Sequence, residues 1–214
     1  MPHAELDVPE PAPGGDSPAA AAPSPRKRPK PGERRVQILQ ALATMLEQPG
    51  TERITTAALA ARLEVSEAAL YRHFASKAQM FEGLIEFIEQ SVFTLINQIT
   101  ERDPAGAAQA GRIVAMLIQF AEKNPGMARV MVGDALVYEN ERLQQRMNQF
   151  FDKVEASLKQ CLRQVDDNAA PTAEAQVRAS MLTAFVVGRL QRFARSGFKR
   201  QPSEHLEASL ARML

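Results

Sequence analysis

The sequence predicts an all-α protein with a small N-terminal helical unit and a larger helical body. Apolar residues recur at spacings of three and four through most of the chain, which is the period of an amphipathic helix, and no segment alternates as a strand does. Breaks rich in Pro, Gly and Asn, at residues 49–50, 103–106 and 124–126, separate these stretches. The predicted divisions are an arm at 1–33, a unit at 34–77 and a body at 78–214.

Charge is unevenly distributed along the chain. The formal net charge of the 214 residues is only +1, but residues 26–77 hold ten Lys and Arg against five Asp and Glu, whereas residues 78–214 hold sixteen of each kind. A local excess of positive charge is what a nucleic-acid-binding surface requires.

The cysteine content and the absence of long apolar runs indicate a cytoplasmic protein. Cys161 is the only cysteine, so no intrachain disulfide can form, and its expected role is packing. We find no signal-peptide pattern, and the longest uninterrupted apolar run, residues 113–118, is too short to span a bilayer.

The N-terminal arm is predicted to be disordered. Residues 1–33 contain nine of the fourteen prolines and almost no large apolar side chains, so they cannot bury enough surface to fold. The basic end of the arm, residues 26–30, continues to Arg34 and Arg35 directly before the first helix. Such an arm can follow phosphates or enter a minor groove. A solubilising tail is an equally good interpretation.

The first helix is predicted over residues 33–47, where the Pro-Gly pair ends it. One face carries Val36, Leu39, Ala43 and Leu46, with Ile38, Leu42 and Met45 beside it. This face should form the third wall of a core shared with the two helices that follow.

Residues 54–77 predict a helix-turn-helix. Thr56 is a good N-cap for a short helix, and Ser66 can cap a second helix from Glu67 to Phe74. The small shared core would contain Leu59, Leu63, Val65, Leu70 and Phe74. Two short helices that cross steeply place the second in the major groove of DNA. The alternative is an ordinary helical hairpin with a solvated face.

The outward residues of the second helix are suited to DNA. Tyr71, His73 and Lys77 are types that bond phosphate oxygens, and Ala68 is small enough to let the helix approach base edges. The predicted DNA-binding set is Arg34, Arg35, Thr55, Thr56, Ser66, Glu67, Ala68, Tyr71, Arg72, His73 and Lys77.

A long helix should join this unit to the body. Residues 76–79 predict a capping box at its start. The apolar stripe that follows consists of Phe81, Leu84, Ile85, Ile88, Val92, Leu95, Ile96 and Ile99. Met80 and Phe87 fall outside this stripe, on a flank shared with Ser91 and Thr94. An off-stripe Phe is either a second packing contact or the floor of a groove for a partner.

The body should contain one central helix and two long amphipathic helices. Residues 107–123 are apolar around much of the helix, as expected of a buried element. Residues 140–165 and 172–195 carry long apolar faces that predict a four-helix bundle with a second copy, intramolecular packing being the alternative. The predicted dimer interface includes Phe151, Val154, Met181, Phe185 and Gly188.

The run ITTAALAARLEVSEAALYRHFASKAQMF at 54–81 resembles the N-terminal domain of TetR-type regulators. Further segments are similar to the bacterial nucleoid occlusion factors, a TetR-type family that binds DNA and blocks assembly of the division tubulin homologue FtsZ. They are LIEFIEQS at 84–91, EKNPGMARV at 122–130, RLQQRMNQFFDKVEASLKQ at 142–160 and FARSGFKRQP at 193–202. The resemblance covers residues 34–214.

The resemblance implies a homodimer on palindromic double-stranded DNA, and it leaves open a dimer of dimers. It also implies a groove that holds the C-terminal tail of FtsZ, where Phe87, Lys123 and Asn124 match the family pattern. Leu95 and Gln119 stand where the family leads us to expect an Arg and a Gly. No membrane partner is implied.

Two other function classes compete with that of a DNA-bound division inhibitor. A ligand-responsive repressor is the commonest use of the TetR-type fold, but the body helices show no polar cluster among their apolar residues, as a ligand pocket would. An enzyme is the weakest hypothesis, because His3, His73 and His205 are scattered and indicate neither a metal site nor a catalytic triad. No cofactor is expected.

Overall fold

The computed structural model describes residues 32–48, 53–104, 106–163 and 171–214. All regular structure in these ranges is helical, as predicted. The elements are α1 Glu33–Leu46, α2 Thr56–Arg62, α3 Glu67–Tyr71, α4 Lys77–Arg102, α5 Ala107–Lys123, α6 Pro125–Met131, a 3-10 helix Asp134–Leu136, α7 Glu141–Arg163, α8 Pro171–Arg195 and α9 Leu206–Met213. The predicted arm lies outside the described residues except for its last two positions.

Helices α1, α2 and α3 form the head of the molecule. Ile38, Leu42 and Leu46 of α1 are buried as predicted, but Val36 is 53% exposed and does not belong to the core face. Of the core residues predicted for α2 and α3, the structure buries Leu59, Leu70 and Phe74, while Leu63 and Val65 are partly buried. The head is therefore a small three-helix unit with one shared core.

Helix α4 starts with a variant of the predicted capping box, in which the Gln79 side chain binds the N–H one residue before the N-cap Ser76. The hydroxyl of Ser76 accepts from the backbone N–H of Gln79 at 3.2 Å, and the Gln79 side chain accepts from Ala75 N at 2.9 Å. Two assignments on this helix were wrong. Met80 is fully buried, because it lies one turn before Leu84, and Leu95 is 36% exposed, beside a shallow surface groove.

Helix α5 is the centre of the body, as predicted. It packs against α4, α6, α7 and α8, and its inner residues Ile113, Val114, Leu117 and Ile118 have no exposed surface. The Asn-Pro-Gly sequence does end α5, but Pro125 then occupies the first turn of α6, a position that proline favours. The separate helices α6 and α9 were not predicted.

A tight joint connects the head to the body. A Cβ placed on Gly126 of α6 would lie 2.1 Å from the carbonyl oxygen of Ala43 on α1, so only glycine allows this approach. Beside it, Arg129 donates to the Leu46 carbonyl at 3.3 Å and to Asp134 at 2.6 Å. The end of α1 is therefore fixed on α6.

Helices α7 and α8 pack along each other at the side of the body. Cys161 is buried there, as predicted, and burial raises the pKa of its thiol, which keeps it protonated.

None of the helices in the described ranges combines the length and the apolar character needed to cross a bilayer.

Candidate DNA-binding and partner-binding surfaces

The candidate reading helix α3 is short and is held at both ends. Ser66 caps it, accepting from Ala69 N at 3.3 Å, as predicted. Leu70 and Phe74 are 1% exposed and fix its inner side to the head core. The helix ends at Tyr71 rather than at Phe74, because Arg72 is its C-cap. A five-residue helix of this kind presents a single outward face.

The outward face of α3 is exposed and polar. Tyr71 is 45% exposed. The other residues that the sequence placed there are exposed as well, namely Ser66, Glu67, Ala68, Arg72 and His73. No carboxylate pairs with Arg72 in the part of the chain that the structure describes. The face thus offers one free cation, two further hydrogen-bonding side chains and a small residue at its start.

The cap of α2 differs from the prediction. Thr55, not Thr56, is the N-cap, and its hydroxyl accepts from Ala58 N at 3.1 Å. The Thr56 hydroxyl instead donates to a carboxylate oxygen of Glu67 at 2.5 Å, which ties the start of α2 to the start of α3. Both threonines occur in sequence before a helix, so spacing alone did not separate their roles.

The two arginines at the start of α1 have different partners. Arg35 donates to the carbonyl oxygen of His73 at 2.8 Å, and its guanidinium lies 4.1 Å from the centre of the Phe74 ring. Arg34 donates to Gln37 at 2.9 Å within its own helix. Arg35 therefore supports the exit of α3 from behind, a role that the sequence did not predict.

Lys77 is committed to the body. Its ammonium forms an ion pair with Glu139, and the two side chains are only 18% and 10% exposed. The ammonium also lies 5.6 Å from the centre of the Phe81 ring. Lys77 would have to leave this partner before it could reach a phosphate.

The candidate partner surface is the outer side of α4 and α5. Phe87 is 48% exposed, so it lies off the core stripe as predicted. Gln109 at the start of α5 donates to the carbonyls of Thr100 and Asp103 at 3.3 and 2.9 Å, which sets the two helices side by side and antiparallel. Both helices rise about 1.5 Å per residue, so counting back along α4 from this contact by the length of α5 leads from Lys123 to the turn that contains Phe87.

The end of α5 carries the other two predicted partner residues. Lys123 is exposed and has no ion-pair partner within the described residues. Asn124 is half-buried, and its amide nitrogen donates to the Phe120 carbonyl at 2.7 Å. One of the expected free donors is thus used to finish the helix, and the amide oxygen remains available.

Helix α4 is held against α7 from the side opposite Phe87. Arg146 donates to Glu89 at 2.6 Å, and this hydrogen bond raises the pKa of the guanidinium above its usual value. Arg142 pairs with Glu82 one turn earlier on α7. These contacts fix the rotation of α4, which keeps Phe87 on the outside.

The outer side of α8 is apolar. Val177 and Met181 are 56% and 53% exposed, and within the described ranges no other element lies within 4 Å of a Cβ placed on Gly188. Phe185 and Phe151 are half-buried at the edge of this face. Val154, in contrast, has no exposed surface within one protomer and has nothing to offer a second copy.

A groove of about 550 Å³ continues this apolar face towards the head. It runs between α7, α8 and the segment after α6, and its lining mixes the apolar Phe151, Val137 and Val187 with the charged Asp134, Asp152 and Arg195. The interior around α5 is filled by its own apolar side chains, as the 0% exposure of Ile113 and Leu117 shows.

Two family models match the chain. The model described as bacterial regulatory proteins, tetR family, covers residues 38–84, and the SlmA-like model of the tetracyclin repressor-like C-terminal domain covers residues 107–213. The two matches correspond to the head with the start of α4, and to α5 through α9.

Solved structures share the fold at low identity. The chain matches a TetR-family transcriptional regulator from Bordetella parapertussis with a TM-score of 0.68 at 18% identity, over 86% of this chain and 95% of that one. It matches the regulator FadR from Bacillus subtilis, solved with stearoyl-CoA, with a TM-score of 0.63 at 14% identity, over 83% and 96%. These likenesses establish the fold alone.

Curated relatives are much closer in sequence. The nucleoid occlusion factor SlmA of Idiomarina loihiensis is 49% identical over 82% of this chain and 90% of that protein. SlmA of Vibrio vulnificus is 49% identical over 83% and 92%, and that of Shewanella pealeana is 50% identical over 80% and 88%. The chain therefore belongs to the SlmA family of nucleoid occlusion factors, within the TetR-type regulators.

Proposed function

We propose that this protein binds palindromic sites on the chromosome as a homodimer and, from there, binds the C-terminal tail of FtsZ and blocks assembly of the division ring. The observation that carries the DNA-binding part is the outward face of α3, which is capped, packed on the head core from behind, and exposed at Ser66, Glu67, Ala68, Tyr71, Arg72 and His73. Its Arg72 has no carboxylate partner in the described ranges, so the charge is available to phosphate.

The residues of the head divide into two kinds of contact. Ser66, Glu67 and Ala68 lie at the start of α3, the end that meets base edges in a helix-turn-helix. Tyr71, His73 and Arg72 follow at its exit and bind phosphates. Phosphate contacts from Thr55, Thr56, Arg34 and Lys77 complete the proposed set, while Arg35 acts by holding the His73 backbone.

The proposed dimer interface is the outer face of α8 with the edge of α7. Val177, Met181 and Gly188 leave an apolar strip that a second copy of the same strip would cover. Phe151 and Phe185 border it, and Val154 is left out because it is buried within one protomer. A two-fold dimer of this kind places its two reading helices on half-sites about one helical turn apart, roughly 34 Å.

The proposed binding place of the FtsZ tail is the outer side of α4 and α5. An exposed aromatic ring on α4 and an exposed ammonium at the end of the adjacent α5 suit a peptide that has one apolar anchor and an acidic group. Phe87 supplies the ring, Lys123 the charge, and the Asn124 amide oxygen an acceptor for a peptide N–H.

Mapping of bound sites over the chromosome tests the function as a whole. A nucleoid occlusion factor should occupy many sites distributed over the chromosome, whereas a ligand-responsive repressor should occupy a few promoters. Overexpression should block division and give filaments. Occupancy confined to one or two promoters, with normal division, would overturn the proposal.

A binding titration tests the partner surface separately. Phe87→Ala should weaken binding of a fluorescein-labelled FtsZ tail peptide by roughly 30-fold, the loss of a hot spot of about 2 kcal/mol. Val137→Ala, which truncates an apolar side chain that is 59% exposed elsewhere on the body, is the matched control and should bind normally. Unchanged peptide binding by Phe87→Ala would place the groove elsewhere, and circular dichroism shows whether the variant is folded.

A further inference from the structure

A second basic surface lies far from the reading helix in sequence. Residues 189–200 contain five Lys and Arg and no Asp or Glu. Four of these side chains are exposed, and none of the four forms an ion pair within the described residues. We call them the basic turn: Arg192, Arg195, Lys199 and Arg200.

The helix dipole explains only part of this charge. Arg192 and Arg195 lie in the last turn of α8, where a cation is favoured by the carbonyl end of the helix. Lys199 and Arg200 lie beyond the helix and gain nothing from that effect. Arg192 and Arg200 line the same crevice and repel each other, so an anionic partner would stabilise them.

The backbone that carries these side chains is fixed. Gly197 and Phe198 have φ angles of 61° and 65°, and Phe198 N–H donates to the Phe193 carbonyl while Gly197 N–H donates to that of Ala194, at 3.0 and 3.1 Å. This is a Schellman C-cap. Its apolar contact is the pair of Phe193 and Phe198 rings, whose centres are 5.1 Å apart.

The Ser196 hydroxyl closes the turn. It donates to the Phe193 carbonyl at 2.9 Å and accepts from the backbone N–H groups of Lys199 and Arg200 at 3.1 and 2.9 Å. Because the turn is already formed, binding of a ligand here costs little conformational entropy of the protein backbone.

Three arginines converge on one small crevice in this surface. Arg189, Arg192 and Arg200 line it together with Gln201, Pro202 and Glu204, and its volume is about 30 Å³. Arg189 is positioned by a hydrogen bond to Ser209 at 3.3 Å and by the Phe185 ring, 4.9 Å away. Guanidinium groups bind carboxylates in a planar, two-point geometry, so the crevice suits a side-chain carboxylate.

The basic turn adjoins the end of α5. The backbone N–H and the hydroxyl of Ser203 both donate to Glu122, at 3.1 and 2.5 Å. Leu214 of the C-terminal segment lies against Gly111 on the same side of α5. Successive residues of α5 are rotated by about 100° around the helix axis. Lys123 therefore lies on the exposed surface of α5, between the side that contacts Ser203 and the side that faces α4.

We propose that the basic turn is a second subsite for the partner segment that docks at Phe87 and Lys123, and that it binds acidic side chains of that segment. A chain that crosses the exposed ridge of α5 from Phe87 reaches Arg200 and Arg192 on the other side. The inference rests on the proposed FtsZ-tail function and adds to it a requirement for carboxylates. An acidic peptide fits better than a nucleic acid, because an apolar anchor, Phe87, lies at one end of the path.

The test uses the full-length protein on its DNA site and two fluorescein-labelled peptides. One peptide is the FtsZ tail, and in the other every Asp and Glu is replaced by Asn and Gln. The double variant Arg192→Gln, Arg200→Gln should bind the tail about tenfold more weakly than the parent protein, and should bind the neutralised peptide as the parent does. Arg178→Gln removes a cation from the other half of α8 and is the matched control.

Each other result overturns the inference in a distinguishable way. If Phe87→Ala loses tail binding and the double variant does not, the basic turn is no subsite and the proposed function stands. If the parent protein does not bind the tail at all, the proposed function fails and this inference fails with it. If the double variant lowers DNA affinity without peptide present, the basic turn is a nucleic-acid surface.

Discussion

The outward face of α3 and the outward faces of the body expose side chains of opposite kinds. On α3 the exposed residues include Tyr71, Arg72 and His73, which water solvates well. On the body they include Phe87, Val177 and Met181, apolar side chains that are each about half exposed. A polar face is well hydrated before phosphate binds, whereas an exposed apolar face is stabilised by a protein that covers it.

The two regions also differ in what holds them. Caps at Thr55 and Ser66 and the contact from Arg35 fix α3 within one chain. In the described residues, no other element comes within 4 Å of a Cβ placed on Gly188. The head is therefore defined by local contacts, and the body faces depend on a second molecule.

Gly188→Leu should break the dimer while leaving the protomer folded. In the described residues, no atom beyond its own stretch of α8 lies within 4 Å of a Cβ placed there, so we expect the clash to come from a second copy. Monomers that bind one half-site lose the linkage between two reading heads, and affinity for a palindromic duplex should fall by about 100-fold or more. Sedimentation velocity and a gel-shift titration measure the two effects.

Gly188→Ala serves as the control for this change. Alanine adds only a methyl group, which closely packed helices accommodate with a small shift. Dimerisation should therefore weaken much less than with leucine. A leucine variant that sediments as a dimer and binds the palindrome normally would show that the interface lies on another face of the body.

Gly126→Ala should damage the joint between head and body. The new Cβ would lie 2.1 Å from the Ala43 carbonyl oxygen, so α1 and α6 must separate, and overpacking of this kind costs roughly 1–3 kcal/mol. Thermal unfolding should show a lower Tm. The same substitution at Gly188 meets no other element of the described structure within 4 Å. A Tm that falls equally in both variants would contradict a tight contact between α1 and α6.

The head was the more predictable region because its signals are local. The caps at Ser66 and Ser76 and the core residues Leu59, Leu70 and Phe74 follow from spacing over a few positions. The error at Thr56 arose where two adjacent threonines compete for one cap, and tertiary geometry chose Thr55.

The body was less predictable because its exposure depends on distant segments. Periodicity put Leu95 inside and Met80 outside, but the neighbours of α4 reverse both. Val154 lies on the apolar face of α7, and sequence could not tell whether that face packs in the protomer or between protomers. The pairing of Lys77 with Glu139 joins residues far apart in the chain and left no local signal.

Substitutions on α3 should separate phosphate contacts from base contacts. Tyr71→Phe and His73→Ala should each weaken binding to all duplexes by a similar factor, roughly fivefold to tenfold, because phosphates carry no sequence information. Ala68→Ser should instead change which bases are preferred, since it lies at the start of α3. Selection of bound duplexes from a random pool measures both. A changed base preference in Tyr71→Phe would mean that the helix lies in the groove in another orientation.

The smallest expected effect concerns Lys77, which lies between the two regions. If Lys77 leaves Glu139 for a phosphate when DNA binds, Glu139→Gln removes the competitor and should tighten DNA binding a few-fold. Lys77→Ala should then lower the slope of log affinity against log salt by about one unit. If Lys77 keeps its partner on DNA, both variants leave the slope unchanged and lower only the Tm, because each leaves one member of a largely buried pair alone. A salt titration of the parent and the two variants, with Tm measured beside it, decides whether Lys77 belongs to the DNA-binding head or to the body.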